Sequence, residues 1–224
     1  MKTNEELQKD VQNAIKWEPL LHAAEIGVTV KDGVVTLSGN VDSYSKKFEA
    51  EKAAKNIIGV KVVVETIEVK FKSNTSKKDD NEIADEILSA FKWNLEIPDS
   101  KIKVKVEKGW VTLEGEVHWN YQRNAAKNAV DKLMGVTGVS NDIVIKSETH
   151  NEIKKSDIEN ALKRNWAIDD EHINVIVDGH KVTLTGSVDS WYQKDEAARI
   201  AWNAPGVWTV DNELEVEYQY ALMD

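Results

Sequence analysis

The chain has 224 residues, 41% of them hydrophobic and 30% charged, with a net charge of −10 and no cysteine. This is a soluble globular profile, and it excludes disulfides, thiol catalysis and cysteine-held metals. No apolar run reaches the ~18 residues of a membrane span. The acidic balance also lacks the basic field that draws proteins to phosphate backbones, so nucleic acid is not an expected partner.

The charge is unevenly spread. Residues 1–74 carry 11 Lys+Arg against 11 Asp+Glu, residues 75–149 carry 11 against 13, and residues 150–224 carry 7 against 15. The last third is therefore expected to repel anionic lipid.

The opening segment, MKTNEELQKDVQNAIKW, has no apolar signal-peptide core, and the expectation from it is a cytoplasmic protein. It reads as an amphipathic helix with Leu7, Val11, Ala14 and Ile15 at helical spacing. A period-two strand follows with Ile26, Val28 and Val30, then the hairpin turn KDG at 31–33. The return strand, VVTLSGNVDS at 34–43, holds Gly39 on the face of Val35, Leu37 and Val41. Asp42 and Ser43 are candidate N-caps for a second helix carrying Ala50, Ala54 and Ile57. Gly59 is expected as its C′ residue, and a last strand carries Ile67 and Val69. The order α-β-β-α-β predicts an antiparallel hairpin plus a right-handed crossover to one parallel strand. Thr29, Thr36 and Ser38 fall on the other sheet face, so both helices are expected on one face of a three-stranded mixed sheet.

The unit then recurs. Residues 11–69 align without gaps to 87–145 and to 158–216. Matching triples include Ile26/Ile102/Ile173, Val28/Val104/Val175, Thr36/Thr112/Thr183, Leu37/Leu113/Leu184, Gly39/Gly115/Gly186 and Gly59/Gly135/Gly206. The fold class is thus α+β, in three domains at 1–71, 79–147 and 150–218. The connector KSETHN (146–151) is shorter than KFKSNTSKKDD (70–80), so units two and three are expected to touch. Copy three departs in two ways. Lys154 replaces the first apolar residue of its helix, which is expected to start later, and its turn reads DGH, with a different turn type expected. Copy two has His118 and Trp119 where the caps stand elsewhere. A unit of about 65 residues is marginal alone, so contact between units is expected to help. The repeated glycine of the central strand reads as a core-facing packing glycine that lets a helix or the neighbouring strand approach closely, or allows a bulge, and its replacement by Val would overpack its unit.

The run I-x-V-x-V, a turn, V-T-L-x-G-x-V, a helix with small residues and then G-V before a last strand resembles the BON domain (bacterial OsmY and nodulation). The resemblance covers nearly the whole chain as three consecutive BON domains, and the architecture is similar to osmotically inducible, stress-associated bacterial proteins. It implies a non-enzymatic module that binds phospholipid or attaches to membranes and envelope proteins, with chaperone-like relatives. It carries over no catalytic residue, and many of its members are exported.

The residues themselves agree that chemistry is sparse. No phosphate-cradling loop, GxGxxG, HExxH or calcium loop is present. The histidines at 22, 118, 150, 172 and 180 fall at different places in the units and read as surface or turn residues. The acidic run Asp169-Asp170-Glu171-His172 reads as a solvated loop. No cofactor, metal or small-molecule substrate is expected. The eight tryptophans are the notable excess. Trp17 and Trp93 stand at matching positions after the first helix, with Arg164 there in unit three and Trp166 two residues on. Repetition at one site points to core or edge-of-core packing. Trp119, Tyr121, Trp191 and Tyr192 flank the start of the second helix, where aromatic rings suit either packing between units or a membrane or protein contact. Trp202 and Trp208 occur only in unit three and fit either the contact with unit two or an outer binding patch. These six are the candidate surface-binding residues, and the expected partner is a protein or a phospholipid membrane surface.

Overall fold

Thr3 starts the first domain with a reciprocal cap. Its Oγ1 accepts from the Glu6 amide at 3.2 Å, and the Glu6 carboxylate accepts from the Thr3 amide at 2.8 Å, so two of the orphan donors at the helix start are satisfied. In this computed structural model, which describes residues 2–71, 78–146, 153–168 and 172–217, helix α1 (Asn4–Trp17) buries Leu7, Val11 and Ile15. Strands β1 (Ile26–Lys31) and β2 (Val34–Val41) pair antiparallel with Val28 opposite Leu37. Asp32 and Gly33 both take positive φ, 51° and 84°, the type I′ geometry whose twist matches the strands. The Asn4 side chain accepts from the Asp32 amide at 2.9 Å, so the start of the helix pins the hairpin turn. After α2 (Tyr44–Lys55), β3 (Val62–Val69) pairs parallel to β2, which is the central strand.

The second domain repeats this with α3 (Asp80–Trp93), β4 (Ile102–Glu107), β5 (Trp110–Val117), α4 (Asn120–Asp131) and β6 (Gly138–Ile145). Asp80 takes the part of Asn4 and accepts from the amides of Lys108 and Gly109 at 2.8 Å each. The third domain has α5 (Lys155–Lys163), β7 (Ile173–Asp178), β8 (Lys181–Val188), α6 (Trp191–Trp202), β9 (Thr209–Asn212) and β10 (Glu215–Val216). Its first helix begins late, as expected, with Lys154 as N-cap. Its turn also differs as expected, because of the two central residues only Gly179 has positive φ (57°), the pattern of a type II′ turn. The strand that β6 makes in one piece is split here into β9 and β10, both parallel to β8, with the buried Leu214 between them.

Each domain has its own core cluster: Leu7 to Ile67, Ile83 to Ile145 and Ile158 to Leu214. The two helices and one sheet face supply it, while the alternate strand positions stay in water. The three second helices are capped differently. Ser190 Oγ accepts from the Gln193 amide at 3.2 Å, whereas Ser43 Oγ turns to Ser45 Oγ. In the second domain, which lacks the serine, Gln122 Oε1 reaches back to the amides of His118 and Trp119 at 3.0 and 3.1 Å.

One glycine expectation is corrected and a second is narrowed. Gly59, Gly135 and Gly206 are not C′ residues, because α2, α4 and α6 end at Lys55, Asp131 and Trp202, four residues earlier. The residue after each helix stays in the right-handed region (Asn56 at φ −75°, ψ −2°), and the glycine instead supplies the positive φ of the next turn. At the central-strand glycine it is the neighbouring strand, one of the two expected approaches, and not a helix, that comes close. Gly39 has φ 132°, and a Cβ on it would stand 2.1 Å from the carbonyl oxygen of Glu25; at Gly115 and Gly186 the clash is with Lys101 and His172 at 2.1 and 2.0 Å. The neighbouring backbone, entering β1, β4 or β7, lies against the strand there. Close approach of main chain plus a left-handed φ requires glycine.

Candidate functional surfaces

The second helices join the domains, each contact made head to tail. The start of α2 lies on the end of α4: Tyr44 packs against the second domain's core, and Lys127 Nζ sits 4.4 Å from the Phe48 ring centre and 5.9 Å from that of Tyr44. The first half of α4 meets the end of α6, where the Arg123 guanidinium lies 4.5 Å over Trp202 and Trp202 packs against the cores of both the second and third domains. The start of α6 returns to the first domain. There Trp191 Nε1–H donates to the Val60 carbonyl at 3.0 Å, and Lys55 Nζ lies 5.8 Å over the Trp191 ring. Starts on ends, three times in the same sense, make a closed ring of three domains. A heterologous contact closes in this way when its rotation is a third of a turn. The expected touch between units two and three is present, and so are the other two.

Equivalent positions do different work in the ring. Lys47, Arg123 and Lys194 match in the three copies. Lys47 Nζ donates to Ile67 O and Lys194 Nζ to Leu214 O within their own domains. Arg123 instead lies over Trp202, and burial lowers its pKa. Lys55, Asp131 and Trp202 also match. Asp131 is 6% exposed. Its Oδ2 accepts from Lys127 Nζ at 2.6 Å, and its Oδ1 has no hydrogen-bond partner among the described residues. Burial raises the Asp131 pKa against the opposing pull of Lys127. Burial, with Asp131 nearby, also raises that of Tyr44 across the junction.

The six candidate residues separate by place. Trp191 and Trp202 lie in the ring contacts just described. Trp119 is half-buried as the N-cap residue of α4. Trp208 stacks on His180 at 3.9 Å between ring centres, within its own domain. Tyr121 and Tyr192, at equivalent positions, are 53% and 52% exposed. Among the histidines, His118 Nδ1 lies 3.0 Å from Lys146 O and its Nε2 2.5 Å from Lys101 Nζ; His180 Nδ1 donates to Gly206 O at 2.8 Å. His150 and Asp169-Asp170-Glu171 lie outside the described residues. Among the described residues, no three His, Asp or Glu converge as a metal site, and no helix is long and apolar enough to cross a membrane.

The core placement expected for the first-helix tryptophans is corrected. Trp17 and Trp93 are each 84% exposed and Trp166 is 93% exposed. For Trp17 and Trp93 the helical period explains it, while Trp166 lies in the turn beyond α5. Leu7, Val11 and Ile15 form the buried stripe, and position 17 lies about 200° around the helix from position 15. Leu20 and Leu95 stand beside the first two tryptophans, also exposed. Lys16, Lys92 and Lys163, identical in the three copies, are exposed next to this set. Each domain thus presents an exposed indole and an exposed lysine at the end of its first helix or in the turn just after it. The signal was present in the sequence as a tryptophan out of phase with the apolar stripe.

This repeated αββαβ unit matches a known family model at residues 3–70, 79–147 and 151–218, and the model is the BON domain. The chain belongs to the BON domain family. A curated relative is "Osmotically-inducible protein Y" of Escherichia coli (strain K12), 29% identical over 147 residues, covering 62% of this chain and 73% of that protein. Among solved structures, CdsD, a structural protein of the type III secretion system of Chlamydia trachomatis, is 16% identical, covering 93% of this chain and 91% of that one, with a TM-score of 0.26. Its C-terminal domain is also 16% identical, covering 97% and 100%, with a TM-score of 0.25. Superpositions this loose leave the arrangement of the three BON domains to be read from this chain's own contacts.

Proposed function

We propose that this chain is a non-enzymatic, osmotic-stress-associated binding protein that docks the tryptophan-bearing ends of its first helices on a phospholipid surface. The observation that carries the reading is the exposure of Trp17, Trp93 and Trp166, the first two directly after a lysine identical in the three BON domains and the third three residues past it. Leaving a large indole in water is unfavourable unless something covers it. An indole with an adjacent ammonium group suits the boundary of a bilayer, where an apolar ring and a phosphate-facing cation are both accommodated. The net charge of −10 gives no long-range attraction to anionic lipid, so the contact rests on these local groups. The similarity to an osmotically inducible protein supports the stress association.

Cosedimentation of the full chain with phosphatidylcholine vesicles tests the docking. The wild type should pellet with lipid, and W17A/W93A/W166A should stay in the supernatant. Wild-type recovery equal to a no-lipid control rejects the lipid target. Protein abundance that does not change after a salt upshift rejects the stress association. A second reading, docking of a protein partner, is favoured by the half-exposed pair Tyr121 and Tyr192. It predicts that replacing both with Ala leaves vesicle binding intact and removes the partner.

A further inference from the structure

We infer that the closed ring makes the three tryptophan ends a single trivalent docking surface. The inference rests on the lipid-docking reading and adds a statement about how the domains act together. Three observations combine. The head-to-tail contact is used three times in one sense and closes. Trp17 and Trp93 close the first helix of their domains at equivalent positions, and Trp166 stands in the turn three residues beyond the end of α5. They are 84–93% exposed, whereas Tyr44, Phe48, Trp191 and Trp202 of the second helices are spent on the ring.

In a closed ring of like units, equivalent positions stand at one level along the ring axis, which puts Trp17 and Trp93 at one level with Arg164 and brings Trp166, two residues on, close to it. On this inference a flat surface laid across that side of the ring meets the three indoles together. Once one end is seated, the other two are held close to the surface, and their binding becomes intramolecular. Linkage of this kind raises apparent affinity by about 10²–10⁴-fold without any new contact, and the gain vanishes when geometry forbids simultaneous engagement. Flexibly tethered domains of the same sequence would keep only the part that their linkers allow. On this account the ring contacts, remote from the lipid, set the strength of binding.

The experiment compares vesicle titrations of the full chain, the single variants W17A, W93A and W166A, the triple variant, and a ring-opened variant F48A/W191A. Neither Phe48 nor Trp191 belongs to the core cluster of its own domain, so the ring-opened variant keeps three folded domains, checked by its melt. Its three docking tryptophans are untouched. Phosphatidylcholine vesicles are the probe, and small-angle scattering reports ring opening.

The expected result is a loss of about tenfold or more for each single variant and for the ring-opened variant, with no binding by the triple variant. The ring-opened variant should also show a larger radius of gyration. Equal affinity of the ring-opened and wild-type chains overturns the trivalent surface and leaves lipid docking standing. An unchanged radius of gyration in F48A/W191A overturns the ring as the element that sets the geometry. Absence of wild-type binding overturns the lipid reading itself. Full binding by a folded triple variant overturns the choice of residues.

Discussion

The ends of the first helices and the faces of the second helices use aromatic residues in opposite ways. At the first-helix ends the aromatic is repeated, with Trp17 and Trp93 equivalent and Trp166 close by, and it is exposed. On the second helices only the half-exposed Tyr121 and Tyr192 are repeated, and the aromatics that meet another domain are not. Tyr44 and Trp191 are equivalent but differ in kind, Phe48 is matched by Asn124 and Asp195, and Trp202 by Lys55 and Asp131. These are the residues that join domains. The difference teaches that repetition here marks what each BON domain presents outward. Variation marks what each must do to a different neighbour, because three unlike contacts fix which domain follows which.

The largest effect expected on this contrast comes from the backbone beneath it. Gly115→Val places a branched side chain 2.1 Å from the Lys101 carbonyl at a φ of 144°, and should cost its domain about 3 kcal/mol or more from overpacking and backbone strain together. A urea melt in which the second domain keeps its midpoint would refute the close-approach account. Trp202→Ala removes a half-buried ring shared by two cores. It should cost roughly 2 kcal/mol, below the ~3–5 of a fully buried aromatic, and should uncouple the second and third domains, which calorimetry would show as two transitions in place of one. Ser190→Ala removes the cap of α6 and should cost about 1 kcal/mol. The equivalent Ser43→Ala should cost less, since that hydroxyl makes no cap bond. Trp93→Ala is expected to change stability by less than about 0.5 kcal/mol, as an exposed residue should. A loss of several kcal/mol would mean that the ring is structural after all and would break the contrast.

Asp131 gives a smaller, pH-dependent test at the junction of the first two domains. The groups around it are Lys127 and Lys132 on its own side and Tyr44 across the contact, with Glu51 and Glu65 acting on Tyr44. Burial raises the folded pKa of Asp131 above its unfolded value. The proton is therefore held more tightly in the folded state. This contribution is present in acid, below the unfolded carboxyl's pKa, and is lost as pH rises through the folded one. Asp131→Asn should flatten the dependence of the urea midpoint on pH across that window. A slope equal to wild type would place the cause in another group.

Much of the domain was legible because short-range chemistry dictates it. Period-two runs around KDG and EKG gave the hairpins, the apolar stripe of Leu7, Val11 and Ile15 gave the helix, and the lone shift of glycine in DGH gave a different turn. The exposed tryptophan set is half legible. The residues are visible in the sequence, but recurrence at one position points to packing, while helical phase, about 200° from Ile15, turns Trp17 outward. The helix ends were misplaced at Gly59, Gly135 and Gly206, since a glycine with positive φ serves a following turn as well as it serves a cap.

The sequence by itself determined the αββαβ unit, its threefold recurrence and the glycine of the central strand, because strand period, turn chemistry and backbone φ act within a few residues. Only the tertiary structure decided that the three units close head to tail. Tyr44, Arg123 and Trp191 find partners that are distant in the chain, and no local pattern records which half-buried aromatic will be covered by another domain and which will be left facing outward.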